Sequence, residues 1–498
     1  MKSYKAFPFL TLLACISLCS CYHEFSTTQP PPPPTGATLS LTMQATPLTP
    51  PPGTNILSMT ASINGVSLTP SSGSAQNFIL PSPFVVDFTK LQSDSVSLGT
   101  LSSIPAGTYT ITLSISAPVV YYCTQPSSGT QGCASGTVAK FSGAVSTPAV
   151  PTTITLTAGQ KTGLALVFNL QNAITVNASQ AVTGVSFTAT NVLTSAALPS
   201  PLNTLATGQL DFLEDVTGVV TSSNNGTQTV TISTATGGSF TAVGNSSTVY
   251  APTTCAANTT FSTCVVVGQV ASVDAALNSD GTFTMLEYDP LSTSGGFDII
   301  EGVVTSVPSS ASQFQLVANS LVFASSGSKI SGSLSSLFGA PVNITLVSPS
   351  GFLVDDKGLL VTTTGVNNFT GSTSALVLVP GQTVAAEITS FTPASGTVLA
   401  SANADLLILR YTRLASAVQV GTGPQPTITS FPPYFGQTIP ELVQLSSGTP
   451  PSSPSTYYDG FNPATGGSLT IGGTVSIRAL YYGPSFSPSF TAAKVRVP

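Results

Sequence analysis

The chain is poor in charge. Its 498 residues include 12 Lys and Arg and 18 Asp and Glu, 6% in all, where a soluble globular chain averages about 25%. Trp is absent and His23 is the only histidine. Each shortage excludes a class of function. A nucleic-acid binder needs a basic footprint that displaces counterions from phosphates, and a net charge of −6 with scattered Lys and Arg supplies none. Long charged or heptad-bearing helices are excluded, because so few charges cannot line them. A Ser-His-Asp or Cys-His centre needs an imidazole, and His23 lies ahead of a proline run, away from any folded pocket. Histidine-based zinc or copper sites fall with it. There is no Walker-type glycine loop and no dinucleotide fingerprint, so no cofactor is expected. Apolar residues make up an ordinary 41%, and Ser, Thr, Gly and Pro stand where charge is missing.

Long apolar runs are scarce too. Lys2 and Lys5 precede a mostly apolar run of 13 residues, Ala6 to Leu18. Positive and then apolar is the layout of an export signal. At about 1.5 Å per residue the run is too short to cross a roughly 30 Å hydrocarbon core. Leu18-Cys19-Ser20-Cys21 then resembles a bacterial lipobox, with an aliphatic residue at −3, a small one at −1 and the cysteine to be lipidated. Leu12-Leu13-Ala14-Cys15 fits the same pattern with a shorter apolar run, so Cys21 is the favoured site. The resemblance implies a signal peptide over 1–20 and acyl chains on Cys21, and more than one chain anchors stably. Tyr22 rather than Asp after the cysteine implies, by analogy with bacterial lipoproteins, an outer-membrane address. Residues 21–36 hold Pro30–Pro34 and read as a stiff polyproline tether. The expected protein is tethered to the membrane by its lipid, not spanning it.

Of seven cysteines, Cys123, Cys133, Cys255 and Cys264 remain once the signal and the lipid site are set aside. Four cysteines allow three pairings, but these fall as two local couples. Pairing Cys123 with Cys133 and Cys255 with Cys264 closes two short loops, each stabilising by roughly 2–3 kcal/mol in the chain-entropy account. The rival is a four-cysteine zinc site, whose pairs usually stand two to four residues apart. Here nine and eight residues intervene.

From Thr38 the apolar residues alternate: Leu39, Leu41 and Met43; Leu57, Met59, Ala61 and Ile63; Tyr109, Ile111, Leu113 and Ile115; Leu164, Leu166 and Phe168. Period two means strands with one face on a core. Turns are expected at Asn64-Gly65, Asn225-Gly226, Asp280-Gly281 and Asp356-Lys357-Gly358. No window shows a 3.6-residue period. The fold class is therefore all-β, an N-terminal β-sandwich over 37–196 followed by small β-barrel or sandwich repeats, with almost no helix outside the signal peptide.

The repeats are visible as text. Gly218-Val219-Val220-Thr221-Ser222 recurs at Gly302-Val303-Val304-Thr305-Ser306, and Gly268-Gln269-Val270 has echoes at Gly381-Gln382-Thr383 and Gly473-Thr474-Val475. They place units at 207–292, 297–415 and 418–498. In the first unit, Asp87-Phe88, the turn Ile104-Pro105-Ala106-Gly107-Thr108-Tyr109 and the stretch Leu156 to Thr162 resemble an uncharacterised domain family that opens many bacterial lipoproteins. In that turn Gly107 is expected to take a positive φ and Tyr109 to point inward. The later units resemble a second uncharacterised family of small β-barrel domains with a G-x-V-x-x-V opening. The resemblances imply folds but no activity.

Residues able to carry chemistry are few. Glu214-Asp215, Glu287 with Asp289, and Asp298 with Glu301 are the carboxylate pairs that a glycosidase would need, and each reads more simply as strand-end or turn acids. Asn278-Ser279-Asp280-Gly281 and Asp355-Asp356 offer too few oxygens for calcium. Tyr121-Tyr122, Tyr457-Tyr458 and Tyr481-Tyr482 place adjacent rings on opposite faces of strands, which makes Tyr458 and Tyr482 the candidate ligand contacts. Arg478, Lys494 and Arg496 read as a solvated face rather than a phosphate site. The expectation is a non-catalytic, metal-free, lipid-anchored protein of the bacterial envelope, with interaction or spacer modules. Its expected partners are the membrane and envelope glycans or other surface proteins, and no nucleic acid. A carbohydrate-binding or adhesive module is the alternative, and a glycan hydrolase the weaker one.

Overall fold

The computed structural model describes residues 36–48, 53–124, 131–133, 138–170, 173–187, 193–197, 212–234, 239–246, 248–250, 255, 260–292, 298–324, 327–331, 337–356, 361, 363–420, 427–428, 433–435, 441–442, 444–445, 456–459, 469–486 and 489–497. Residues 1–35, which hold the expected signal peptide, Cys21 and the proline run of the expected tether, lie outside them. The described chain is nearly all β, arranged in several sheets.

The N-terminal unit contains β1 (Ala37–Ala45), β2 (Thr54–Pro70), β3 (Gln76–Asp87), β4 (Val96–Ile104), β5 (Gly107–Ile115), β6 (Val119–Thr124), β7 (Ala139–Ser142), β8 (Ile154–Leu156), β9 (Lys161–Phe168), β10 (Ile174–Val176), β11 (Val182–Val185) and β12 (Leu193–Ala197). One sheet runs β12-β9-β1-β4, and the other β7-β6-β2-β5-β8 with β3 beside β2. The alternating residues meet between them as expected. Leu39, Leu41, Met43, Leu166 and Phe168 of the first sheet share one core with Met59, Ile63, Ile111, Leu113 and Ile115 of the second. Each fully buried large side chain of this kind stabilises by roughly 1.5–3 kcal/mol. Phe88, Phe168 and Phe187 close the core with ring centroids 4.8–5.6 Å apart.

Two local expectations change. Asn64-Gly65 is not a turn: β2 runs straight through it, and the pairing with both β3 and β5 shifts register between Ile63 and Gly65. The extra residue is a bulge that bends a long strand. The positive φ near the Pro105 turn belongs to Ser103, at +60°, not to Gly107. A Cβ on Gly107 would sit 3.4 Å from the Tyr109 ring. Tyr109 is buried, and its hydroxyl donates to the Pro105 carbonyl at 2.7 Å.

The second unit has β13 (Phe212–Asn224), β14 (Thr229–Thr234), β15 (Ser239–Val243), β16 (Val249–Tyr250), the one-turn helix α1 (Phe261–Cys264), β17 (Val270–Leu277) and β18 (Phe283–Ser292). The order β15-β14-β13-β17-β18 closes on itself through a parallel contact of β15 with β18. The third unit repeats the plan with β19 (Asp298–Val304), β20 (Gln313–Val322), β21 (Pro341–Val354), α2 (Thr363–Thr370), β22 (Thr383–Thr392) and β23 (Ala400–Val420), closed by parallel β21 and β23. A barrel of five strands in the order 1-2-3-5-4, with a helix ahead of the fourth, is the Greek-key plan of OB-type folds.

The last strands are β24 (Thr427–Ile428), β25 (Glu441–Leu442), β26 (Gln444–Leu445), β27 (Tyr457–Asp459), β28 (Thr474–Tyr481) and β29 (Phe490–Arg496). β23 is 21 residues long. Its first half completes the third unit against β22, and its second half pairs with β28 and β24. The division expected between 415 and 418 therefore falls inside one strand that two units share.

The repeated words of the first two barrels occupy equivalent places, and in the last unit Gly472, one residue ahead of the expected Gly473, takes the same position. Val220 exchanges backbone hydrogen bonds of 2.8 and 2.9 Å with Gly268 and Gln269, Val304 with Gly381 and Gln382 at 3.0 and 2.8 Å, and Val418 with Gly472 and Gly473 at 2.7 and 2.9 Å. Gly268, Gly381 and Gly472 hold φ near +91°, +91° and +80°, a region only glycine enters freely. The pentapeptide glycines serve a different need. A Cβ on Gly218 or Gly302 would run into the backbone carbonyl oxygen of Ser233 or Val317 on the next strand. Gly218→Ala and Gly302→Ala are each expected to cost about 2–4 kcal/mol in urea denaturation. Gly226→Ala, in an exposed turn, should stay within about 0.5 kcal/mol.

Candidate functional site

The charge that the surface lacks is gathered where the sandwich meets the last two units. Arg413 on β23, Arg478 on β28 and Lys494 on β29 are direct cross-strand partners. Neighbouring strands lie about 4.8 Å apart and partners share a face, so the three cations form a row. Arg496, two residues beyond Lys494, continues it. The expected solvated face is instead a buried one: Arg478, Lys494 and Arg496 are 3%, 0% and 4% exposed. The sandwich covers them with the turn that follows β3, where Leu91 anchors a single 3-10 turn, Lys90–Gln92.

Burying like charges in a row is costly unless carboxylates and hydrogen-bond acceptors meet them. Arg413 Nε donates to the Asp94 carboxylate. Arg496 donates to the carbonyls of Leu91 and Asp94 at 3.3 and 3.1 Å and to Ser95 Oγ at 3.2 Å. The Arg478 guanidinium lies 4.6 Å from the centre of the Tyr411 ring. Glu301, in the middle of β19, stands 3.8 Å from Lys90 Nζ, 3.4 Å from Arg410 Nε and 4.0 Å from Arg413 Nη1. Arg410 also pairs with Asp355. Six of the 12 Lys and Arg, including every arginine of the chain, belong to this junction. Burial alone would push the Asp94 carboxyl up. Arg413, Arg478, Lys90 and Lys494 together outweigh it and hold the group below the ordinary carboxylate value.

A second set of contacts crosses the same boundary. Cys123 and Cys133 form a disulfide, with Cα atoms 5.7 Å apart. Gly132 N donates to the Tyr434 carbonyl at 2.9 Å, and Cys133 N to the Thr305 carbonyl at 2.7 Å. Asn55 Oδ1 accepts from Tyr434 N at 3.2 Å. Cys123, Cys133 and Leu57 of the sandwich join one apolar cluster with Val317, Phe435, Tyr481 and Phe490. Between these contacts and the ion pairs lies a cavity of about 100 Å³, bordered by Asn55, Lys90, Asn319, Thr412, Arg413 and Tyr434.

The other anticipated residues are spread out. Cys255 and Cys264 form the second disulfide, inside the first barrel. Tyr458 and Tyr482, expected to offer rings to a ligand, are 8% and 3% exposed, and Tyr481 is fully buried. Burial pushes the Tyr458 hydroxyl up to about 12. Tyr122 is buried as well, and Tyr121 lies under Lys140 Nζ at 5.7 Å. Asp298 and Glu301 do not converge. Asp298 Oδ1 accepts from Ala324 N and Ser328 Oγ, and its Oδ2 from Lys329 N and Ile330 N, while Glu301 serves the junction. Asp280 Oδ1 accepts from Thr282 N and Oγ1 in the β17–β18 turn. Asp355 is a partner of Arg410, and the Asp356 carbonyl accepts from Tyr411. The side chains of Glu214, Asp215 and Tyr457 lie outside the description, as do Lys357 and Gly358. Among the described residues no group of three His, Cys, Asp or Glu side chains is placed to hold a metal. No described helix is long and apolar enough to cross a membrane.

Sequence reasoning missed Lys90, Asp94 and Arg413 as site residues, and paired Glu301 with the wrong neighbour. A cue was present: all four arginines fall between 410 and 496, on strands that are otherwise apolar. No protein-family model and no curated protein sequence matches the chain.

Because the folded Asp94 value is depressed, its contribution is fully present above the ordinary carboxylate value and is lost as pH falls below it. Asp94→Asn should cost about 3–5 kcal/mol at pH 7 by leaving buried cations uncompensated. It should also flatten the stability loss as the pH falls below about 4 in denaturant titrations. An unchanged pH slope in the variant would contradict the assignment.

Proposed function

We propose that the protein is a lipid-tethered, non-catalytic scaffold of the bacterial envelope, held to the outer membrane through acyl chains on Cys21. The single structural observation that supports this reading is the use of its scarce charge. The side chains most able to bind and turn over a substrate, the four arginines, Lys494, Asp94 and Glu301, are spent joining the sandwich to the units that follow. Such a body suits a rigid presenting or spacing role more than a string of independently moving beads.

The outer faces are hydroxyl-rich. On the first barrel Thr231 Oγ1 and Thr241 Oγ1 stand 2.9 Å apart on neighbouring strands, with Ser233 and Ser239 exposed beside them. In this reading envelope glycans or other surface proteins are met through such faces, not through the buried Tyr458 and Tyr482. The lipobox-like Leu18-Cys19-Ser20-Cys21 and the resemblance of the units to domains of exported bacterial proteins point the same way.

Cys21→Ser tests the tether. Fractionation of cells that make the variant should move the protein from the membrane to the soluble fraction. Retention in the membrane would point to Cys15 or remove the lipid from the account, and Cys15→Ser separates those two results.

A further inference from the structure

The junction cavity contains a polar group that the protein leaves unanswered. Asn319 is 4% exposed, borders the cavity, and its Oδ1 has no hydrogen-bond partner. A buried acceptor left so costs about 1–3 kcal/mol. The backbone explains how it comes to be there. Glu301 opposes Ser320 and Gly302 opposes Ala318, so Asn319 is the extra residue of a bulge between β19 and β20. Bulges re-aim a side chain out of the ladder and are common beside functional sites. This one sits next to Glu301, inside the charged junction.

The rest of the wall sets the chemistry. Its two charged residues, Lys90 from the sandwich and Arg413 from β23, are both cationic, and no carboxylate borders the cavity among the described residues. Asp94 and Glu301 reach the same two cations from outside the cavity, so a modest negative charge suffices for an occupant. The threonines are already engaged: Thr412 Oγ1 donates to the Gly381 carbonyl and accepts from Thr383 N. The space therefore asks for negative charge toward Lys90 and Arg413 and a donated hydrogen bond toward Asn319. At about 100 Å³ it has room for about three waters by liquid volume, or one small ion.

We propose that this cavity binds a small oxyanion that also carries a hydroxyl, gripped between Lys90 of the sandwich and Arg413 and Asn319 of the third unit. Hydrogen phosphate and a short hydroxycarboxylate such as lactate share that chemistry. Sulfate matches phosphate in shape but has no proton to offer Asn319. An occupant bridges two units, so binding also strengthens the junction.

The test is calorimetric titration of the full-length protein in detergent at pH 7 and matched ionic strength, with sodium phosphate, sodium lactate and sodium sulfate. Saturable binding of phosphate or of lactate, at least tenfold tighter than sulfate, is expected, and the anion that binds identifies which source fits. Asn319→Ala should bring that anion down to the sulfate level, and Lys90→Met should weaken it. No saturable binding of either hydroxylated anion, equal binding of sulfate, or unchanged binding in Asn319→Ala would each overturn the proposal. Should Asn319→Ala fail to fold, Asn319→Asp keeps the shape and must still reject the anion, and binding retained there overturns the proposal equally.

Discussion

A buried cation must be answered locally, and this requirement organises the molecule. The chain has few charges, yet it places Lys90, Arg410, Arg413, Arg478, Lys494 and Arg496 at one junction, five of them on the C-terminal strands. Desolvating such groups costs several kcal/mol each unless acceptors stand close by. Asp94 and the carbonyls of Leu91 and Asp94 come from the sandwich, Glu301 and Asp355 from the third unit. The last strands therefore cannot satisfy their own side chains, and the sandwich must be docked for them to be buried at all. A well-packed apolar interface of the same size would hold as firmly. What the ionic one adds is register, because the Arg496 guanidinium is matched to the carbonyls of Leu91 and Asp94 and to Ser95 Oγ.

The same economy runs through the repeats. Each barrel uses one glycine to admit the neighbouring backbone, Gly218 or Gly302, and another at positive φ where strands one and four exchange hydrogen bonds, Gly268 or Gly381. In the last unit Gly472 fills the second role beside Val418. There the first strand is borrowed, since β23 ends one barrel and begins the next sheet. A shared strand and a buried ion network leave no flexible linker between the two. That is why the Glu301 carboxylate of the third unit can reach Lys90 of the sandwich and Arg413 in the second half of β23.

Much of this was legible in the residues, and what was missed has a physical reason. Period-two alternation found the faces of β1, β2, β5 and β9 because one side of each is buried against a single core. The pentapeptide and Gly-Gln echoes found the repeats because they mark backbone geometry, which tolerates no substitute. Asn64-Gly65 misled because the same dipeptide serves a turn or a bulge, and only the partner strands decide. Tyr481 and Tyr482 misled because β28 is buried on both faces, and Tyr458 because its strand pairs with the buried β29, whereas Tyr121 and Tyr122 do divide into a half-exposed and a buried ring. The arginine row misled most. Charged residues on strands usually mark solvent, and only the tertiary arrangement brings Asp94, more than three hundred residues earlier, against Arg413.

The central claim is that Asp94 and Arg413 bind two units together as an energetic pair. A double-mutant cycle of Asp94→Ala and Arg413→Ala, read by urea denaturation at pH 7, measures it most directly. The account predicts a coupling free energy of at least about 2 kcal/mol. A coupling within about 0.5 kcal/mol of zero would contradict it.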